Sequence, residues 1–379
     1  MKIIPMYLPQ FHEIPENNEW WGEGFTEWTN VKKAKPLFEG HVQPRVPLNS
    51  NYYNLLDDNV KVWQVNLAKK YGIYGFCYYH YWFSGKLLLE KPMEQMLANP
   101  AIDLPFCISW ANEQWSKQWV GENKVLMPQL YGDKAEWIDH FNYLLPFFKD
   151  SRYIKENNKP MFIFIHPERI EVLDDMIECW NELAVKNGFD GIAFGYYADW
   201  RSMAGKDIDD SKFTYDIQGQ PHYALMRYNA QKDSKIRMIV NRVNSFIERK
   251  TGINLKSYSP IKLTTNRIDY DKMWETVLSQ GPDSAKSIPG AFVDWDNTAR
   301  YGEKARVYVG ASPEKFKKYL SIQIRRAKEI YKSDYIFLFA WNEWCEGGYL
   351  EPDEQNGYGY LQAIRDALEE TGELESPNE

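Results

Sequence analysis

The chain is poor in the residues that would commit it to metal, thiol or nucleic-acid chemistry. It has only 4 cysteines and 6 histidines in 379 residues. Cys77, Cys107, Cys179 and Cys345 are widely spaced, and neither Cys-x-x-Cys nor His-Glu-x-x-His is present. That pattern excludes the common zinc signatures and predicts buried, reduced thiols, with no metal and no cofactor. A Gly-x-Ser-x-Gly elbow is missing as well, which removes the usual serine-hydrolase reading. Asp-x-Asp recurs at Asp207-Ile208-Asp209, Asp269-Tyr270-Asp271 and Asp294-Trp295-Asp296. Three matches in one chain make it a chance spacing, weak support for a metal-bound nucleotide sugar. Lys and Arg (45) are outnumbered by Asp and Glu (53), for a net charge of -8. With no basic cluster, a nucleic-acid partner is excluded. No run approaches the roughly 20 apolar residues of a membrane span. The opening Met1-Lys2-Ile3-Ile4-Pro5 is too short in apolar residues for a signal peptide. Together with reduced thiols this gives a cytoplasmic expectation.

What the chain has in excess is aromatic surface: 15 Trp, 26 Tyr and 19 Phe, 16% of all residues. Many rings lie outside the apolar runs, as at Trp20, Trp21, Trp28, Trp82, Trp110, Trp115, Trp119, Trp200, Trp295 and Trp344. A flat ring packs against the C–H face of a pyranose while the sugar hydroxyls reach Asp, Glu, Asn and His at its edge. The competing role is structural, since large rings also plug gaps between helices and a sheet.

Eight apolar runs read as strands: Ile3 to Leu8, Ile73 to Tyr79, Pro105 to Trp110, Met161 to Ile165, Gly191 to Tyr197, Phe213 to Ile217, Ala291 to Trp295 and Tyr335 to Trp341. Helical patterns separate them, with Gly72 and Gly188 placed as left-handed helix ends and Ser312-Pro313 as a helix start. Alternating strands and helices in this number predict an α/β fold, a single (β/α)8 TIM barrel with long βα-loop insertions; a doubly wound open sheet is the runner-up. The barrel is expected over 1–368, with a lid-like insertion at 9–53, a second insertion at 198–260 carrying a helix near Ser234 to Arg249, and a frayed acidic tail at 369–379.

A parallel barrel collects its chemistry at the C-terminal ends of its strands. Strand one delivers Tyr7, Gln10 and His12, and Trp28 follows in the insertion. Strand two delivers Tyr79, His80, Tyr81 and Trp82, of which Tyr79, His80 and Trp82 are taken as sugar contacts. Trp110, Asn112 and Glu113 follow strand three, His166 strand four, Tyr197 strand five, and Asp294 and Trp295 strand seven. The last strand ends in Trp341-Asn342-Glu343-Trp344-Cys345-Glu346-Gly347. Asn342 and Trp344 are further candidate sugar contacts. Glu343 and Glu346 are the candidate catalytic pair, because cleavage of a glycosidic bond needs two carboxyl groups of different proton affinity. Their i to i+3 spacing would put them on opposite faces of an ideal strand, so the chain must turn after Glu343.

Four motifs carry a family resemblance: Met6-Tyr7-Leu8-Pro9-Gln10-Phe11-His12, Trp21-Gly22-Glu23-Gly24-Phe25-Thr26-Glu27-Trp28, Ser109-Trp110-Ala111-Asn112-Glu113, and the Asn342 to Gly347 segment. Over nearly the whole chain they resemble the WbsX-like proteins of bacterial surface-polysaccharide loci, which carry a glycosyltransferase label. The last motif is also similar to the Asn-Glu-Trp-His-Glu-Gly of the family-99 glycoside hydrolases, the endo-α-mannosidases, which are retaining (β/α)8 enzymes. That resemblance implies that Glu343 is the base that deprotonates a sugar 2-hydroxyl to form an anhydro-sugar intermediate, and Glu346 the general acid/base. Cys345 stands where those enzymes have His, so mannose specificity does not carry over. The expectation is a metal-independent retaining glycoside hydrolase acting on a bacterial poly- or oligosaccharide. A glycosyltransferase of O-antigen or capsule assembly, needing an activated donor, and a catalytically silent sugar-binding protein are the alternatives.

Overall fold

The computed structural model describes residues 1–116, 125–198, 209–232 and 265–374. Most of the 198–260 insertion, its expected helix near Ser234 to Arg249, the rings of Trp119 and Trp200, and the last residues of the tail lie outside them.

All eight apolar runs form strands: β1 (Lys2–Tyr7), β2 (Phe76–Phe83), β3 (Phe106–Trp110), β4 (Lys159–Phe164), β5 (Ala193–Tyr197), β6 (Tyr215–Ile217), β7 in two pieces (Ser287–Ile288 and Gly290–Phe292) and β8 (Tyr335–Phe339). Neighbours pair in parallel, with Lys2 opposite Tyr335, Met6 opposite Cys77, Phe76 opposite Phe106, Ile108 opposite Phe162, Met161 opposite Ala193 and Tyr215 opposite Gly195. The first piece of β7 pairs with β6 and the second with β8. Only Pro289, which has no N–H to give a ladder, separates them, so the nine-segment sheet nearly closes into a barrel.

The strands are apolar along their whole length because helices cover the outside of the barrel while side chains fill it, and β4 and β8 are almost wholly buried. The connecting helices include Asp58–Lys70, Lys91–Ala98, Lys134–Lys149, Leu173–Lys186, Tyr270–Leu278, Pro313–Arg326 and Gly359–Thr371. Ser312 caps the sixth of these by accepting from Lys315 N, with Pro313 in the first turn. Gly72 and Gly188 take φ of +82° and +92°, as the sequence predicts for helix ends. Fully buried Trp180, Trp274 and Trp341 are core rings, and all four cysteines are buried and unbridged.

Strand β2 differs from expectation. The turn at Gly72 occupies the first expected residues, pairing starts at Phe76, and the strand continues to Phe83 in a hairpin with Lys86–Leu88. The 9–53 insertion is ordered and packed: it contains helices Pro15–Trp21 and Glu27–Lys33, and Glu27 N donates to Gln10 O. The start of the acidic tail is also anchored. The last helix runs to Thr371, and Glu373 pairs with the Met1 amino group at 2.9 Å and with Lys328 at 3.3 Å. No described helix is long and apolar enough to cross a membrane.

Candidate active site

At the end of β8 the chain leaves the sheet. Asn342 and Glu343 pair antiparallel with Tyr349 and Gly348, and a tight 3-10 turn, Trp344–Glu346, lies between them. This is the turn that the spacing requires, and it brings both carboxylates to one cavity of about 470 Å³. Two contacts fix it. Asn342 clamps the end of β1, its Oδ1 accepting from Leu8 N at 2.7 Å and its Nδ2 donating to Leu8 O at 2.9 Å. Gly347 closes the turn at φ +67°, and a Cβ there would lie 2.7 Å from Asp296 N. That amide donates to Glu346 O at 2.7 Å, so the loop after β7 supports the turn directly.

Arg300, from the same loop, supplies the cation that the sequence neighbourhood of the two glutamates does not. Its Nη1 donates to Glu346 Oε1 at 2.7 Å, and its Nη2 reaches Glu343 Oε2 and the fully buried Glu27 Oε2, each at 3.4 Å. Burial pushes the Glu343 carboxyl up to about 8; Arg300 opposes this, while Glu346 and Glu27 add to it. Burial also raises Glu346, again against Arg300, with Glu27 and Glu113 adding to the rise. Two carboxyl groups share a partly dry site with one guanidinium, and this arrangement separates their proton affinities.

Around the pair, the cavity is lined by Gln10, Tyr79, Glu113 and Tyr197 from the candidate set, together with Trp21, Tyr81, Trp115, Gln220, His222 and Tyr301. Tyr79 and Tyr81 face it for one reason: successive β2 residues alternate between its two faces. His80 and Trp82 therefore turn outward, which corrects the expectation that they reach substrate. His80 Nε2 lies 2.8 Å from His140 Nε2, Trp82 stacks on His140 with a 4.4 Å centroid distance, and burial lowers His80 to about 3. Trp110 takes the same outward face, donating to Trp82 O at 3.2 Å.

Several other candidates are scaffold rather than lining. Tyr7 turns away from the cavity and donates to Gln64, on the helix Asp58–Lys70, at 2.7 Å. His12 is buried, lies 3.0 Å from Pro9 O and is lowered to about 4 by burial. Trp28 donates to Tyr53 O, and Trp344 stacks on Tyr349 with a 3.8 Å centroid distance. Asn112 exchanges two hydrogen bonds with the His166 backbone, 2.7 and 2.8 Å. The His166 ring stands between Glu113 (3.2 Å) and Glu168 (3.0 Å), and so orients the half-exposed Glu113 at the cavity edge. Asp294 pairs with Arg45 at 3.0 Å, tying the first insertion to β7. Trp295 packs behind the wall against His222 at 4.7 Å.

Sequence reasoning did not single out Arg300, Gln220, His222 or Tyr301, which come from the segments after β6 and β7, including the short helix Thr298–Tyr301 and the start of the helix His222–Lys232, with no motif of their own. Trp21 and Trp115 were visible as rings outside apolar runs. Glu351 was also not anticipated. Its buried carboxylate accepts from Gln64 (2.7 Å), Trp341 (3.1 Å), Tyr53 (2.8 Å) and Trp344 (2.7 Å), while burial pushes it up to about 7.

Comparison with known proteins agrees with this architecture. Solved structures similar to the chain include the GH99 endo-alpha-mannosidase from Bacteroides thetaiotaomicron, with a TM-score of 0.55, 13% identity and 98% of each chain covered. A second, described as a glycoside hydrolase-like protein, has a TM-score of 0.55 at 11% identity, with 97% of this chain and 93% of that one covered. At these identities the likeness is one of fold. Protein WxcX of Xanthomonas campestris pv. campestris is 32% identical over 371 residues, 97% of this chain. The chain spans about half the length (49%) of that relative. The family model described as Glycosyltransferase WbsX matches residues 3–364. The chain therefore belongs to the WbsX glycosyltransferase family, a family of carbohydrate-active proteins built here on a barrel like that of the GH99 enzymes.

Proposed function

We propose that the protein is a metal-independent retaining glycoside hydrolase acting on a bacterial poly- or oligosaccharide, with Glu343 and Glu346 as its catalytic pair. The observation that carries this reading is the meeting of both carboxyl groups in one aromatic-walled cavity, bridged by a single guanidinium. Tyr79, Tyr81, Trp21 and Trp115 offer ring faces to sugar C–H groups, and Gln10, Gln220 and Glu113 offer hydrogen-bonding edges. The cavity volume falls in the ~300–1,000 Å³ range typical of small-molecule sites. The cation facing the glutamates is Arg300, and the proposed chemistry runs by proton transfer through the carboxyl pair and a sugar hydroxyl.

One carboxyl group protonates the leaving glycosidic oxygen while the other removes the proton of the sugar 2-hydroxyl, whose oxygen closes on the anomeric carbon. Water then opens that ring from the face the leaving group vacated, which returns the original configuration. The resemblance to the family-99 motif gives Glu346 the acid role and Glu343 the base role. Glu343→Gln and Glu346→Gln should each lower kcat by about 10²–10⁴-fold while leaving oligosaccharide binding in place, as steady-state kinetics with calorimetric binding would read. Binding without any turnover by the unaltered protein would instead identify a sugar-binding protein.

The family description favours a second reading, a glycosyltransferase. Against it, β1 runs into Leu8-Pro9-Gln10-Phe11 rather than a Gly-rich phosphate-binding turn. Product formation that depends on an added sugar nucleotide would decide for the transferase.

A further inference from the structure

Arg300 is shared unequally. Its hydrogen bond to Glu346 is 2.7 Å, the length of a charge-assisted pair, whereas Glu343 and Glu27 stand at 3.4 Å. One guanidinium cannot neutralise three buried carboxylates, so the proton affinities around it must separate, and the closest partner is the one held as an anion. Glu343 is also the more enclosed of the pair, its side chain 7% exposed against 15% for Glu346.

We infer that Arg300 is a positioning residue that keeps Glu346 ionised in the ligand-free protein and leaves the pair's proton on Glu343, making Glu343 the proton donor and Glu346 the base. This reverses the division that the family-99 motif implies. The assignment of chemical roles rests on the glycosidase reading; the location of the proton does not.

The other carboxylates facing the pair oppose an ionised Glu346, since Glu27 raises both groups and Glu113 raises Glu346, so the order depends on the closer Arg300 contact. Around Glu343 stand Arg300, Glu346 and Glu27, with the Tyr79 and Tyr81 hydroxyls and the Cys345 thiol in its field. Around Glu346 stand Arg300, Glu27 and Glu113, with Tyr301 beyond. The tyrosines and Cys345 are all held neutral by burial. Arg300 is the only Lys or Arg among the described lining residues, so it sets the order. In the first step the Glu343 O–H bond breaks as its proton passes to the glycosidic oxygen, and the C1–O pair leaves with that oxygen. Glu346 takes the 2-hydroxyl proton as O2 bonds to C1. In the second step water adds to C1 and gives a proton back to Glu343, while the C1–O2 pair returns to O2, which recovers its proton from Glu346.

The test is a pH titration of the ligand-free protein with carboxyl-¹³C glutamate, read by NMR, with signals assigned from E343Q and E346Q. The Glu343 signal should titrate at about 8 and the Glu346 signal below it. In R300Q the Glu346 midpoint should rise by about 1–3 pH units, and R300K, which keeps the charge, should restore the original order. R300K against the unaltered protein also serves if R300Q does not fold, because replacing the fork with a point charge should narrow the gap between the two midpoints. Glu346 titrating above Glu343, or an order indifferent to residue 300, overturns the inference and leaves the glycosidase reading intact. The expected order in a protein that hydrolyses no glycoside would overturn the glycosidase reading alone.

Discussion

The proton on Glu343 has a consequence for stability that can be measured without knowing the sugar. Its carboxyl is raised to about 8 in the folded chain by burial, so between the ordinary carboxylate range and pH 8 the native state binds more protons than the unfolded one. Its stabilising contribution is therefore complete at low pH and is lost as pH rises through about 8. Buried His12, His80, His140 and His222 are all depressed and act in the opposite direction. Their contribution is lost as pH falls below about 6.5 and is complete above it. From pH 6.5 to 8 the unaltered protein should thus lose about 1–2 kcal/mol relative to E343Q, as denaturant unfolding at a series of pH values would show. A constant difference between the two would place the proton elsewhere. At this scale the glutamate pair was legible in the sequence because two carboxylates ended an apolar run. Arg300 was not, because it lies in a different loop, 43 residues before Glu343, and only the closed barrel brings them together. The tryptophans show the limit of composition: Trp28, Trp82, Trp110 and Trp344 have the same rings as Trp21 and Trp115, but their indole N–H groups donate to protein acceptors and their faces pack against neighbouring rings.

At the scale of elements, the strand ends and the turns beyond them determine which side chains reach the cavity. Shifting the start of β2 to Phe76 left the facing of its residues to the two-residue period, so Tyr79 and Tyr81 point in while His80 and Trp82 point out. Sequence located the strand but not this facing, because the run is apolar or aromatic on both sides. The turn after β8 is the other determinant. In Gly347→Ala, a methyl group would meet Asp296 N at 2.7 Å on a backbone with φ +67°. The variant should be less stable by about 1–3 kcal/mol and should lose activity more than it loses binding, since it displaces Glu346. Thermal unfolding beside kinetics would separate the two effects. Glu351 ties this turn to β8 and the first insertion through four donors. Glu351→Gln would set an NH₂ group against two of those donors and should cost about 1–3 kcal/mol per unsatisfied contact. A Glu351→Gln protein that unfolds at the same denaturant concentration would show that the four contacts add nothing to the fold.

For the molecule as a whole, eight alternating βα units were readable because a parallel strand buried on both faces leaves an uninterrupted apolar run. The ordering of the 9–53 insertion depends on contacts over long sequence separations, such as Arg45 with Asp294 and His41 with Asp296 at 2.8 Å, which no local pattern encodes. Membership in a glycosyltransferase-named family and a fold shared with GH99 hydrolases point to different uses of one sugar site. The direct test is to incubate the purified protein with bacterial surface polysaccharide in water, without any sugar nucleotide, and to follow the anomeric protons of newly released reducing ends by NMR. The account predicts release without a donor, an initial product that keeps the configuration of the bond cleaved, and loss of that release in both E343Q and E346Q. Inverted product, or turnover only when an activated sugar donor is supplied, would contradict it.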